Sequence, residues 1–312
     1  MYISDRFGDY ELLFAGGGEK FERWGDVFLQ RPDPQAVWPK ADDDTPDHRP
    51  KPHAIYHRAD SGGGYWATLE PFPHKWRISY PAVGGDLTFI IEPTGFKHTG
   101  LFPEQAVNWD FCGDRIRRRA TEGGKTRILN LFAYTGGATM AAAVAGAEEV
   151  VHVDASKGMI ARAKENMMAS GLEQSFIRYI AEDCTRFVER EIRRKRQYDG
   201  IIMDPPAYGR GPSGELWKLE DALFGLVGKC CHLLSDQPLF FVLNSYASSL
   251  TSLTMENILG LTLRRRLGGF VQSGELGIPA SRMNIVLPCG STARWTPDPC
   301  RPEDIPVRGT EN

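Results

Sequence analysis

The sequence predicts an α/β fold, a mostly parallel sheet with helices on both faces, preceded by a smaller β-rich domain. Three observations predict it. From Lys125 onward, apolar runs of strand length alternate with helical patterns, which implies a parallel sheet covered on both sides. The first of these runs, Ile128 to Phe132, breaks into a glycine turn, Tyr134-Thr135-Gly136-Gly137, and resumes as an alanine-rich helix. Residues 1 to about 110 differ in texture, being rich in Trp, Pro, Gly and His without a helical period, and 1 to 98 of them read as the β-rich domain. A length of 312 residues is enough for two domains and a large core.

In chain order, Tyr10 to Ala15 reads as a strand ending in Gly16-Gly17-Gly18. The proline-rich segment from Arg31 to Lys51, with its Asp42-Asp43-Asp44 run, reads as a surface loop. Trp66 to Leu69, Trp76 to Tyr80 and Leu87 to Glu92 are short-strand patterns, and Gly62 to Gly64 is a turn. Residues 99 to 124 connect the two domains through a helix that carries Arg115, Arg117, Arg118 and Arg119. The main domain, 125 to 295, opens with a βαβ unit: a strand at Ile128, a helix from Ala138 to Ala145 stopped by Gly146, and a strand from Val150 that ends on Asp154. A helix follows from Ser156 to Ser170, then a strand from Ser175 to Ala181, and a charged helix from Asp183 to Arg196. Tyr198 to Met203 is an apolar strand running into Asp204-Pro205-Pro206-Ala207-Tyr208. The loop Gly209 to Gly214 precedes a helix from Leu216 to Leu234. A strand from Pro238 to Leu243 enters Asn244-Ser245-Tyr246, a helix spans Leu253 to Arg265, and Phe270 to Leu276 with Met283 to Leu287 form a closing hairpin. Residues 296 to 312 are a tail.

Composition narrows the function classes. With 41% hydrophobic and 25% charged residues, the chain reads as a soluble globular protein. No apolar run approaches a membrane span, and the N-terminus lacks the pattern of a secretory signal, so a cytoplasmic location is expected and no membrane partner. The six cysteines lack zinc-site spacing and are expected to be free thiols, with no metal. A net charge of −3 means that any nucleic-acid partner is held by a local basic patch. The basic runs Arg193-Arg194-Lys195-Arg196 and Arg264-Arg265-Arg266 suit either such a patch or the carbonyl ends of helices.

The chemistry gathers at strand ends, where ligands of such sheets sit. Glycines let backbone approach a ligand, and the following helix N-terminus offers free N–H groups. Asp154 lies 18 residues after Gly136, the spacing expected of an acid that binds a ribose. The turn lacks the third glycine of a dinucleotide fingerprint. A cofactor with ribose and adenine but no pyrophosphate fits better, and S-adenosylmethionine is the candidate. At the fourth strand, Pro205 and Pro206 stiffen a loop that exposes carbonyls and the Asp204 carboxylate, beside an aromatic able to stack on a planar base, Tyr208. Asp183 is both a candidate adenine contact and a candidate helix cap.

The strings LNLFAYTGGAT, VDAS, AEDC and MDPPAY, in this order, resemble the class I methyltransferases of large-subunit ribosomal RNA, the cytosine-5 and guanine-7 methylating kind. Gly100-Leu101-Phe102-Pro103-Glu104-Gln105 is similar to that family's stretch before the catalytic domain. The resemblance, from Thr99 to Leu287, implies a Rossmann-like domain that binds S-adenosylmethionine. It implies Phe132, Tyr134, Thr135 and Gly136 at the methionine end, Asp154 on the ribose, Asp183 near the adenine and Gln105 approaching from outside. Ala133, Ala155, Ser156 and Cys184 complete the expected cofactor set, and Asp204, Pro205, Pro206 and Tyr208 the catalytic one. The sequence departs from the family at three places. The loop after the fifth strand, Asn244 to Ser249, has no cysteine, and cytosine-5 chemistry needs a thiolate unless Cys184 or Cys289 reaches the base. Tyr208 stands where relatives often have Phe, and the N-terminal region does not match the expected RNA-binding accessory domains. The expectation is methylation of a nucleobase nitrogen in RNA, ribosomal RNA first. A protein or small-molecule acceptor, a nicotinamide oxidoreductase and a non-catalytic RNA-binding scaffold are the rivals. The sequence sets no oligomeric state.

Overall fold

A computed structural model describes residues 1–40, 50–59, 63–95, 97–210 and 216–299. The Asp42-Asp43-Asp44 run, Gly62, the stretch 211–215 of the glycine loop, Cys300 and the rest of the tail lie outside the described residues.

A short β1 (Tyr2–Ile3) is followed by β2 (Tyr10–Gly16), β3 (Glu19–Trp24), β4 (Val27–Pro32), β5 (Ala54–Arg58) and β6 (Gly64–Thr68), of which the last five form one sheet in that order. The strands β7 (Trp76–Ala82) and β8 (Gly85–Ile91) make a separate hairpin. The expected β-rich N-terminal region is therefore present, with strands β3, β4 and β5 in addition to those legible in the sequence. The first strand departs from it: β1 pairs in parallel with a strand of the main sheet.

Helix α1 (Ala106–Thr121) leads into the alternating unit: β9 (Arg127–Leu131), α2 (Gly137–Val144), β10 (Glu149–Asp154), α3 (Lys157–Ala169), β11 (Ile177–Ala181), α4 (Cys184–Arg193) and β12 (Gly200–Met203). Where a loop and then a helix from Leu216 were expected, β13 (Tyr208–Arg210) and β14 (Leu216–Lys218) pair as an antiparallel ribbon. Helix α5 (Leu219–Cys230) starts only after it. Then come β15 (Phe240–Ser245), α6 (Ser252–Leu259), β16 (Phe270–Pro279) and β17 (Val286–Thr296). The closing hairpin is longer than expected, and Met283 lies in its turn.

The main sheet runs β1-β16-β17-β15-β12-β9-β10-β11, parallel from β15 to β11 and antiparallel at β17. From β9 the chain moves outward through β10 and β11, then returns to place β12 on the other side of β9. That reversal opens a crevice beyond the carboxyl ends of β9 and β12, where open α/β sheets hold ligands. The central strands are apolar throughout because both faces are covered. Leu129, Val151, Ile201 and Phe241 pack under Phe187, Leu223 and Met255, while Ile128, Val150, Ile202 and Val242 pack against Phe111, Ile116 and Ala142. A third core joins the N-terminal sheet to this domain, with Trp24, Leu29 and Phe89 clustering with Trp109, Met140 and Ile278.

Helix starts follow local chemistry. Ser156 accepts from Met159 N at 3.3 Å, Asp183 from Arg186 N at 3.0 Å and Thr251 from Thr254 N at 3.2 Å, each satisfying an amide that lacks an intrahelical partner.

Candidate functional site

The tip of β9 is strained. Phe132 and Tyr134 take φ of 55° and 51°, a left-handed conformation that costs an L-residue roughly 1–2 kcal/mol. Hydrogen bonds hold it. Phe132 N donates to Cys184 Sγ at 3.3 Å, and Tyr134 N to Asp154 Oδ2 at 2.9 Å. Gly136, at φ 87°, caps α2, and Gly137 lets Trp109 pack against the turn, since a Cβ there would lie 2.5 Å from Cζ2 of the indole. Thr135 is buried, its hydroxyl donating to Gly100 O at 2.6 Å, while Asn166 Nδ2 donates to its carbonyl at 2.9 Å.

Asp154 ends β10 with its other oxygen accepting from Ser156 N at 2.8 Å. Each carboxylate oxygen thus holds one backbone amide and keeps a lone pair for a further donor. Burial raises its pKa, and the two amides act against that.

These strand ends open onto a cleft of about 400 Å³, lined by Phe132, Tyr134, Asp154 to Ser156, Asp183 and Asp204 to Ala207, a size typical of small-molecule sites. A narrower recess of about 60 Å³ continues beneath the glycine turn, where Gln105, Ala133, Thr135 and Gly136 join Phe132 and Asp204. Gln105 there donates to Tyr246 Oη at 2.9 Å and accepts from Asn108, which in turn donates to Asn244.

Asp204 follows β12 directly. Burial, and then the nearby charge of Glu104, push its carboxyl up to about 7. Pro206 O is taken by Trp217 Nε1 at 2.7 Å, and the Trp217 ring meets Phe132 with centroids 5.7 Å apart.

Most of the residues singled out by sequence meet in this continuous site, with two exceptions. Tyr208 is 65% exposed and does not line the cleft. It enters β13, whose alternation turns Ala207 and Gly209 toward the cleft and Tyr208 away, and the aromatic of this ribbon that lines the cleft is Trp217, opposite Gly209 on β14. The Cys184 side chain is buried beneath the floor, where its sulfur accepts the Phe132 amide, so it supports the turn and is not part of the cleft lining. Cys289 lies in an adjoining cavity, its thiol donating to Leu287 O at 3.4 Å. Burial pushes both thiols up, so neither offers a thiolate in this cleft.

Tyr246, in the strand-end segment Asn244 to Tyr246, lines the cleft as its position predicts, whereas sequence reasoning missed Phe102, His98 and Trp217 as wall residues. Phe102 packs against Tyr134 and Tyr246 at 5.4 and 5.5 Å. Its place in the Gly100 to Gln105 segment was the available signal. The basic runs on α1 and α4 are far from this site. Arg196 reaches Glu149, the first residue of β10, and Arg119 bonds Gln237 O, ahead of β15, both at the opposite end of the strands from Asp154 and Asp204.

Comparison with known proteins agrees with this architecture. Residues 54–217 match the family model for S-adenosylmethionine-dependent methyltransferases. A solved structure of a SAM-dependent methyltransferase from Agrobacterium tumefaciens is 38% identical, with a TM-score of 0.85 over 95% of this chain and 92% of that one. A Streptococcus mutans structure, 18% identical with a TM-score of 0.69 over 94% and 76%, shares the fold. Among curated relatives, the ribosomal RNA large subunit methyltransferase K/L of Shewanella frigidimarina is 34% identical over 148 residues, 47% of this chain. That of Shewanella baltica is 36% identical over 120 residues, 38% of this chain. The matches span 20% and 16% of those relatives' lengths.

Proposed function

The chain belongs to the S-adenosylmethionine-dependent methyltransferase family, and from that premise we propose that it methylates a nucleobase nitrogen in RNA, ribosomal RNA first. The observation that carries this reading is Asp204, a carboxyl with a pKa near 7 at the tip of β12, in an aromatic-walled cleft beside the strained glycine turn.

S-Adenosylmethionine supplies an electrophilic methyl group on a sulfonium. The site residues fit such a cofactor. Asp154 has lone pairs left for ribose hydroxyls, and Asp183, with one oxygen occupied by Arg186 N, has its second for an adenine amino group. Phe132, Tyr134 and Gly136 wall the methionine end, with Ala155 and Ser156 beside the ribose.

On the acceptor side, Phe132 and Trp217 offer apolar faces for a planar base. Trp217 occupies the Pro206 carbonyl, leaving Asp204 and the Pro205 carbonyl as the acceptors this loop offers. A carboxyl near neutrality holds and then takes the proton of an exocyclic amine as the nitrogen attacks. A ring nitrogen with a free lone pair needs only to be positioned there. Neither candidate thiol lines the cleft that holds Asp204, and burial opposes a thiolate at both, which favours nitrogen over carbon-5. The RNA assignment draws support from the names of the curated relatives.

The test is transfer of tritiated methyl from S-adenosylmethionine to ribosomal RNA lacking the modification, followed by nucleoside analysis. An N-methyl nucleoside is expected. Label in 5-methylcytidine, or in protein alone, would overturn the proposal.

A further inference from the structure

We propose that the cavity between the N-terminal sheet and the Gly100 to Gln105 segment is a phosphate-binding subsite for the acceptor. It rests on the nucleotide reading above. The cavity measures about 290 Å³ and shares His98, Phe102 and Tyr246 with the cleft that holds Asp204. A nucleotide with its base beside Asp204 therefore has this cavity as a neighbouring compartment.

Three cations line it, Lys20, Arg31 and Lys97. Two are pinned. Arg31 contacts Glu22 at two points, 2.5 and 2.9 Å, and Lys20 lies 3.0 Å from Asp33. Lys97 is different. It is half-buried, and its carbonyl accepts from Arg31 Nη1 at 2.9 Å, but its ammonium has no hydrogen-bond or ion-pair partner among the described residues. The carboxylates of Glu22 and Asp33 are thus committed to two of three cations. The third acid in the lining, Glu104, is pushed up by burial, with Lys20 and Arg31 acting against that, and it makes no ion pair with Lys97. The positive field of these cations is felt by neighbours. Lys97 is pulled down by burial and by Lys20 and Arg31, with Asp33 acting the other way, and His98 is pushed down to about 4 by burial and then by Arg31, Lys97 and Lys20. An anion seated against Lys97 gives its ammonium a partner, and two pre-positioned cations cost little ordering entropy on binding.

The full-length protein, saturated with S-adenosylhomocysteine, is acylated in inorganic phosphate and in chloride of equal ionic strength, and labelling is read by peptide mass spectrometry. Phosphate is expected to slow acylation of Lys97 several-fold and leave exposed Lys195 unchanged. Equal rates at Lys97 would overturn the subsite. A second arm compares methyl transfer to an RNA substrate by wild type and Lys97→Met. The variant is expected to raise KM about tenfold, the scale of one charge-assisted hydrogen bond, with kcat kept and the salt slope shallower by about one charge. If RNA accepts methyl and Lys97→Met keeps its KM, the subsite fails while the RNA reading stands. If phosphate protects Lys97 and RNA accepts no methyl, the RNA reading fails and the subsite serves another phosphorylated acceptor.

Discussion

Replacing Asp204 by Asn should stabilise the fold while removing activity, and the stabilisation should depend on pH in a defined way. The Asp204 carboxyl has an ordinary pKa of 3.8 and is pushed up to about 7 in the folded chain, by burial first and by Glu104 second. Between these values the folded state binds a proton that the unfolded state has released, so stability falls as pH rises across this window. At about 1.4 kcal/mol per pH unit, the difference amounts to an upper bound of about 4 kcal/mol, fully expressed above pH 7. The amide of Asn has nearly the same shape and never ionises. Thermal unfolding of Asp204→Asn and wild type, followed by circular dichroism from pH 4 to 8.5, should therefore give nearly equal midpoints at pH 4. The variant should gain a lead on the order of 5 °C by pH 8, taking roughly 2 °C per kcal/mol and less than the full bound. A constant offset at all pH values would refute the reasoning, and so would a variant less stable at pH 8. It would mean that Asp204 is ionised at little cost and has no special claim as a proton acceptor.

Four further outcomes are expected. If Asp204 accepts the amine proton, kcat/KM of wild type should rise with pH through about 7, and a flat profile from pH 6 to 8 would point to a ring nitrogen instead. Trp217→Ala should raise KM for the acceptor about tenfold or more, the scale of one base–aromatic stack, whereas Tyr208→Ala should stay within about twofold. The reverse order would show that β13 presents its other face to the cleft. Gly137→Ala drives a Cβ to 2.5 Å from the Trp109 ring and should lower stability by about 1–3 kcal/mol in denaturant titration. Glu22, buried with Arg31, Lys20 and Tyr10, is held down to about 2 by those partners despite its burial. Its ion pairs support the fold above about pH 4.5 and lose that support as pH falls toward 2, so the stability gap between wild type and Glu22→Gln should narrow over this range.

The legible parts of this protein are those where burial and periodicity coincide. β9, β10, β12 and β15 read as apolar runs because both of their faces are covered, and their polar ends, Asp154, Asp204 and Asn244, stand out against them. The N-terminal sheet was only partly legible. β3 and β4 carry Glu22 and Arg31, which look like surface charges in sequence yet neutralise each other in the interior. The walls of the site were hidden for another reason. Phe102 and Trp217 come from segments outside the strand ends, and only the fold brings them to the cleft. The choice of Trp217 over Tyr208 depends on strand alternation in a ribbon whose second strand read as the start of a helix. The left-handed conformations of Phe132 and Tyr134 have no local signature, because aromatic residues rarely adopt them and the hydrogen bonds that impose them come from Cys184 and Asp154.

The most direct test of the central claim is calorimetric titration of the purified protein with S-adenosylmethionine, beside Asp154→Asn checked for native circular dichroism. Saturable binding near one site per chain is expected, weakened about a hundredfold in the variant by the loss of charge-assisted hydrogen bonds to the ribose. Wild-type binding that Asp154→Asn leaves intact would move the cofactor away from the end of β10. No binding by folded wild type would contradict the account at its base.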